Sequence, residues 1–400
     1  MKVLIADKFE RSGIEGLSAL GCTVESQPDL THETLPEAMR TIGPDVLIVR
    51  STKVSAAAIE AGSQLSLIVR AGAGYDTIDV GAASARGVFV ANCPGKNSIA
   101  VAELVWALIL CCDRRIPDQT AELRAGTWNK KEYAKAAGLH GRTLGILGFG
   151  QIGQEVASRA RAFGMPVMVW SRSLTEADAE RHDVLYAATP LDVARQADVI
   201  SINVAATAQT KHLINSEFCA AIKPGAFLIN TSRGSVVDEA SLAEAIRSKG
   251  VRAGLDVFEN EPGSGTGEFN CPLAKLPGVY TSHHIGASTD QAQEAIATEA
   301  VRIIKTYLST GEVPNCVNRA ASTRATNLLT IRMLNRPGVF AHIFYLLGQA
   351  GINIEEMENI IYDGARSACA RIQVASQPGE DVLTAIRNNS NILSAHLAVL

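Results

Sequence analysis

Charge of either sign is nearly balanced on this chain. Across 400 residues, 37 Lys and Arg face 41 Asp and Glu, a formal net charge of −4. That leaves no basic footprint for nucleic acid and no field for a membrane surface. Long apolar runs are missing too: the longest, 104–112, falls far short of the ~18 residues that read as a bilayer span. No secretory leader is expected, because Met1-Lys2 runs straight into a strand-like segment. The eight cysteines lie apart, the adjacent Cys111-Cys112 excepted, and none forms a C-x-x-C pair. Neither a zinc site nor a disulfide framework is therefore expected, and no metal is assigned. Thiols in a reducing cytosol are the expectation. What the chain does have is 47% hydrophobic residues against 20% charged. At ~150 residues per domain, its length predicts two or three domains with ample core, in a soluble cytoplasmic protein.

The first ninety or so residues alternate two patterns. Apolar runs at 3–6, 46–50, 67–70 and 88–91 end near Gly, Ser, Asp or Asn, with helical spacing at 56–61 and 80–86. That rhythm predicts a parallel sheet with helices on both faces. A long, largely buried helix is expected over 97–115. Strand-like runs resume at 167–170, 199–204, 226–231, 252–256 and 279–282, with crossover helices such as 241–249 between them. A further helix is expected over 289–310, followed by a polar, linker-like stretch over 311–326. The tail then reads strand 328–333, helix 339–350, strands 353–359 and 369–375, helix 381–388 and strand 394–399. This β-α-β-β-α-β order is the ferredoxin-like arrangement, and it reads as a regulatory or oligomerisation domain.

A Gly-rich turn stands in mid-chain, Gly148-Phe149-Gly150-Gln151-Ile152-Gly153, after the strand-like 143–147 and before a helix expected over 151–163. In this G-x-G-x-x-G spacing the first glycine permits a tight turn. The second lets a pyrophosphate approach the backbone, and the third allows close helix–strand packing. The following helix offers unpaired N–H groups and a positive dipole end to that anion. Strand, glycines, helix and second strand arrive in order, which predicts a dinucleotide site. Two open α/β units in tandem also predict an active site in the cleft between them.

Three later segments put polar residues where strands end: Asn230-Thr231-Ser232-Arg233-Gly234, then Asp256-Val257-Phe258-Glu259-Asn260-Glu261-Pro262, then Ser282-His283-His284-Ile285-Gly286. Arg can hold a planar carboxylate through two parallel hydrogen bonds. His titrates near neutrality and can remove a hydroxyl proton. A carboxylate beside that His favours the imidazolium and fixes its tautomer. Each type alone is more often structural, and it is their joint occurrence downstream of the dinucleotide motif that carries the reading.

These segments, together with Gly141-Arg142-Thr143-Leu144-Gly145-Ile146-Leu147-Gly148 and Leu255–Pro262, resemble the D-2-hydroxyacid dehydrogenase family across roughly 1–315. Val49-Arg50-Ser51-Thr52-Lys53-Val54 and Arg70-Ala71-Gly72-Ala73-Gly74-Tyr75-Asp76 look like the substrate-side segments of its phosphoglycerate-oxidising branch. Asn335-Arg336-Pro337-Gly338-Val339 and Gly351-Ile352-Asn353-Ile354 resemble an ACT domain. The resemblance implies an α/β fold of two open parallel-sheet domains, flavodoxin-like and Rossmann, with a ferredoxin-like ACT domain. The implied boundaries are 1–95 for the first part of the substrate-binding domain, 96–283 for the nucleotide-binding domain and 284–315 for the return to the substrate-binding domain. A linker, 316–326, and the ACT domain, 327–400, complete them.

By the same resemblance His284 is the general acid/base, Glu261 its carboxylate partner and Arg233 the clamp on the substrate carboxylate. An NAD or NADP cofactor is implied at Gly148, Gly150, Gln151, Ile152, Gly153, Ser171, Arg172, Thr231, Ser232, Arg233, Asp256, His284, Ile285, Gly286 and Ala287. Backbone N–H groups around Gly72, Ala73 and Gly74 would hold the substrate carboxylate and Arg50 its phosphate. His283 is read as a bystander. Asn335 and Asn353 would face an amino-acid effector, and a homodimer or homotetramer is implied. The implied reaction is oxidation of a phosphorylated 2-hydroxy acid. The alternative is an NADPH-dependent reductase of hydroxypyruvate or glyoxylate.

Three departures from the family pattern stand out. Binding of NAD normally uses an acid about twenty residues past the glycines, bonded to the adenosine ribose. Here that strand end reads Val169-Trp170-Ser171-Arg172-Ser173, without one. Ser171 and Arg172 suit a 2′-phosphate, so NADP is expected to be preferred or tolerated. Val204-Ala205-Ala206 stands where the family usually has a proline. Met333 replaces a histidine of serine-inhibited relatives, and a thioether cannot make an imidazole's hydrogen bonds.

Overall fold

Four-residue apolar runs, too short for helices and bounded by turn residues, become strands buried on both faces. The computed structural model describes residues 1–262 and 266–400. In it Lys2–Ile5 (β1), Thr23–Ser26 (β2), Val46–Val49 (β3), Leu67–Arg70 (β4) and Phe89–Asn92 (β5) form a parallel sheet of order β2-β1-β3-β4-β5. This is the doubly wound flavodoxin-like order. β2 went unmarked in the sequence because it is an edge strand whose Thr23, Glu25 and Ser26 face solvent. The helix Asp290–Thr310, capped by Thr289, returns to this sheet, where Ile296, Ala300, Ile303 and Ile304 pack with Val3, Ile5, Val46 and Ile48.

The second sheet comprises Leu144–Leu147 (β6), Val167–Trp170 (β7), Leu185–Tyr186 (β8), Val199–Ile202 (β9), Phe227–Asn230 (β10), Arg252–Leu255 (β11) and Val279–Thr281 (β12). It is parallel, with order β12-β11-β10-β9-β6-β7-β8. The chain reverses its winding between β6 and β9, so a crevice opens at their carboxyl ends. The Gly-rich turn leaves β6 there. Helix Ser98–Arg114 buries Ala102, Val105, Trp106, Ile109 and Cys112 against this sheet, and Trp106 stacks on Phe163 with centroids 4.3 Å apart.

These two sheets lie within one compact unit, 1–318. The polar stretch expected as a linker begins by pairing: Cys316 bridges to Ala91, and the Val317 N–H donates to the Val90 carbonyl at 2.8 Å. Nearby, Glu299 is a buried carboxylate at 6% exposure. Arg302 donates to it at 2.6 and 3.0 Å, Asn315 Nδ2 at 2.8 Å, and Lys96 Nζ lies 3.5 Å away. The Arg302 hydrogen bonds outweigh burial and hold its pKa down at about 2. A depressed folded value means stability present above the unfolded ~4.3 and lost as pH falls through about 2, worth about 3 kcal/mol at neutrality. Urea denaturation of Glu299→Gln should therefore show a stability deficit at pH 7 that narrows by about 2 kcal/mol at pH 3. A deficit independent of pH would refute this.

The other unit, 319–400, is a four-stranded antiparallel sheet of order β14-β15-β13-β16. Its strands are Asn327–Leu334 (β13), Ile354–Ile361 (β14), Ser367–Val374 (β15) and Ile392–Val399 (β16). Helices Val339–Gln349 and Glu380–Arg387 complete the ferredoxin-like order, and Met333 is buried with Leu329, Ile343, Leu347 and Ile372. All eight cysteines are free thiols; burial pushes that of Cys93 up to about 12.

Candidate functional site

The Gly148 N–H donates to the Trp170 carbonyl at 2.8 Å, which ties the turn after β6 to the end of β7, where Ser171 and Arg172 follow. Gly153 lies so close to this turn that a Cβ would overlap the Gly148 carbonyl oxygen, while the side of Gly150 is open. Helix Gln151–Ala162 starts at Gly150 without a side-chain cap, leaving its first N–H groups to a ligand. The side chain of Gln151 lies over Gly95, and Ile152 packs into the core below. Around this crevice, Thr231 Oγ1, Asn203 Oδ1 and Asn97 Oδ1 are buried polar atoms without a partner among the described residues. Polar atoms so placed cost free energy unless something binds them. They fit an amide- and hydroxyl-bearing ligand such as a nicotinamide dinucleotide.

Asn230, 1% exposed, builds the turn after β10: its Oδ1 accepts the Ser232 N–H at 3.0 Å and hydroxyl at 2.9 Å, and its Nδ2 donates to the Arg233 carbonyl at 2.9 Å. Arg233 reaches across to Asp76 through Nε, at 3.1 and 3.3 Å, and Nη2, at 2.9 Å. Its guanidinium rests on Gly74, where any Cβ would overlap Nη2. For Asp76, burial opposes ionisation, but the Arg233 bonds prevail and hold its carboxyl below the ordinary range.

After β12 the chain turns through His284, whose φ is +54°. A non-glycine residue held there costs of order 1–3 kcal/mol and needs support. Asp256, 1% exposed, supplies that support. Its carbonyl accepts the His284 N–H at 2.8 Å. Its carboxylate accepts the Ile285 and Gly286 N–H groups at 2.9 Å each and the Ser282 hydroxyl at 2.7 Å. The carboxylate expected beside the nicotinamide is thus directed to the backbone of the histidine turn. His284 Nδ1 lies 2.7 Å from Glu261 Oε2. The Glu261 carboxyl is destabilised by burial, but hydrogen bonds from His284 and the Phe258 N–H hold it ionised, with a pKa below its ordinary value. His283 is exposed, and Ala287 accepts a side-chain hydrogen bond from Gln293 at 2.6 Å.

Arg50 Nη2 donates to Ser288 Oγ at 3.1 Å. The turn that carries it is fixed by Asp7, whose Oδ2 accepts the N–H groups of Arg50, Ser51 and Thr52 at 2.7, 3.1 and 3.1 Å. Sequence reasoning gave no role to Asp7, Asp76 or Arg70. Arg70 packs on Gly72, and its buried Nε has no partner among the described residues. Burial first, then the charge of Arg233, push its guanidinium down to about 10. Its position in the Arg70-Ala71-Gly72 segment was the one available signal. In the smaller unit, Asn335 Nδ2 donates to the Ala365 carbonyl at 3.0 Å and Asn353 Nδ2 to Glu355 Oε1 at 2.8 Å.

The doubly wound sheet, the glycine turn at its switch point and a polar cleft at the strand ends define a dinucleotide-binding α/β protein. Residues 106–286 match the D-isomer specific 2-hydroxyacid dehydrogenase, NAD binding domain. The chain is 45% identical over 277 residues to a hydroxypyruvate reductase of Thermotoga maritima, covering 68% of this chain and 88% of that one. It is 39% identical over 320 residues to a D-3-phosphoglycerate dehydrogenase of Methanocaldococcus jannaschii, covering 80% of this chain but 59% of that relative's length. Among solved structures it is similar to an NADPH-dependent glyoxylate/hydroxypyruvate reductase of Sinorhizobium meliloti in complex with NADP and malonate. The TM-score there is 0.68 at 30% identity, covering 80% of this chain and 99% of that one. The chain belongs to the D-isomer specific 2-hydroxyacid dehydrogenase family, and its cofactor is NAD or NADP.

Proposed function

We propose that the protein oxidises D-3-phosphoglycerate at C2 with a nicotinamide dinucleotide. The observation that carries this reading is the 2.7 Å pair of His284 and Glu261 in a site that also holds Arg233, seated on Gly74. The turn Gly148–Gly153 would hold the pyrophosphate, Ser171 and Arg172 the adenosine ribose, and Thr231, Ser232 and the turn from His284 the nicotinamide side. Bound there, the nicotinamide ring supplies the hydride acceptor. Because Nδ1 of His284 is engaged by Glu261, Nε2 is the atom left to take the C2 hydroxyl proton. Glu261, ionised, stabilises the imidazolium that results. Arg233 and the N–H groups of the 72–74 loop hold the carboxylate, and Arg50, with Arg70 nearby, holds the phosphate. An amino-acid effector at Asn335 and Asn353 belongs to the same reading.

A spectrophotometric panel tests it: phosphoglycerate, hydroxypyruvate and glyoxylate, each with both cofactors. Phosphoglycerate is expected to give the highest kcat/KM among the acids. A clear preference for hydroxypyruvate or glyoxylate would replace this reading with the reductase. In the same panel kcat/KM with NADP should equal or exceed that with NAD, since Ser171-Arg172-Ser173, directly after β7, hold no carboxylate to repel a 2′-phosphate. A strong advantage for NAD would refute that expectation.

A further inference from the structure

The loop at 72–74 is aimed by a residue outside it. Asn92 ends β5 at 8% exposure, and its Nδ2 donates to the Ala73 carbonyl at 2.6 Å. The next residue adds a parallel contact: the Cys93 N–H donates to the Gly72 carbonyl at 2.9 Å. Two consecutive carbonyls are therefore drawn toward the end of β5. In a planar trans peptide the C=O and the N–H point in opposite directions. Drawing the Gly72 and Ala73 carbonyls one way therefore turns the Ala73 and Gly74 N–H groups the other way. Among the described residues neither of these N–H groups has an acceptor. Successive N–H groups turned to one side make a concave anion site.

Asn92 is itself braced. Asn315, on the segment that returns to β5, exchanges backbone and side-chain bonds with it at 3.4 and 3.3 Å and anchors its own amide on the buried Glu299 at 2.8 Å. Cys93 is tethered in turn, its Sγ 3.7 Å from the Ile296 carbonyl. We infer that Asn92 is a positioning residue for substrate: through the Ala73 carbonyl it holds the Ala73 and Gly74 N–H groups toward a carboxylate. It touches no substrate atom itself. The inference rests on the proposed reading that this loop holds the carboxylate of a 2-hydroxy acid.

Asn92→Leu keeps the side-chain size and removes the donor. Asn92→Ser, milder for folding, is too short to reach Ala73. For both variants, KM for the acid should rise about tenfold with the cofactor KM within about twofold, as loss of one hydrogen bond that orders a charged-ligand site implies. Affinity for oxamate, a small carboxylate that is not oxidised, should fall by the same factor in calorimetry. Hydrogen exchange of the Cys93 N–H, which donates to Gly72, should quicken while that of the Gly148 turn is unchanged. Wild-type oxamate affinity in both variants would overturn the inference, as would a joint rise of both KM values. Failure of the functional reading looks different: the wild-type protein turns over no 2-hydroxy acid, yet oxamate affinity still separates it from the variants.

Discussion

Replacing His284 with alanine should lower kcat by about 10²–10⁴-fold, the usual contribution of a positioned acid/base. Cofactor affinity should stay within about twofold. The size follows from the geometry: Glu261 takes Nδ1 at 2.7 Å, which leaves Nε2 to act as the base in the proposed reaction. His283, next in line, is exposed and lies outside the hydrogen bonds that Asp256 makes to residues 284–286. A backbone at φ +54° strains any non-glycine residue, so alanine inherits the turn and the defect should be chemical. Single-turnover kinetics with fluorescence titration of the cofactor separate the two effects. Turnover near that of the wild type would remove His284 from the mechanism.

Arg233→Lys tests the clamp. The arginine spends Nε and one N–H of Nη2 on Asp76 and one N–H of Nη1 on the Ser232 carbonyl at 2.8 Å, and it packs on Gly74. Lysine keeps the charge but has a single ammonium, which cannot bind Asp76 and hold a carboxylate in two parallel bonds at once. Loss of one charge-assisted bond of ~1.5–3 kcal/mol corresponds to a rise in KM for the acid of about 10–150-fold. Cofactor KM should change far less. If the Arg233→Lys variant bound the acid as the wild type does, point charge alone would account for binding, and the fork geometry would carry no role.

The residues behind these two predictions left unequal signals. His284, Glu261 and Arg233 were legible because each follows a strand-like run, and strand ends are where open α/β sheets present side chains. Buried strands such as β3, β6, β9 and β10 were legible as largely apolar runs. Two edge strands were not: β2 and the two-residue β8 bury too little to leave a hydrophobic signature. Helices Glu176–Arg181 and Pro190–Gln196 are set by capping boxes at Thr175/Asp178 and Thr189/Asp192, signals too short to stand out unaided.

By itself the sequence determined the glycine turn between β6 and its helix, the signature of a dinucleotide-binding unit, because that signal is local: three glycines, one strand and one helix start. It determined also which residue types would end the neighbouring strands. Only the tertiary structure decided their partners. Arg233 meets Asp76 157 positions away, and Asn92 meets Asn315 across 223. Parallel strands need long crossovers, so the residues that share a cleft are remote along the chain. Their pairing depends on strand order and register, which no spacing in the sequence records.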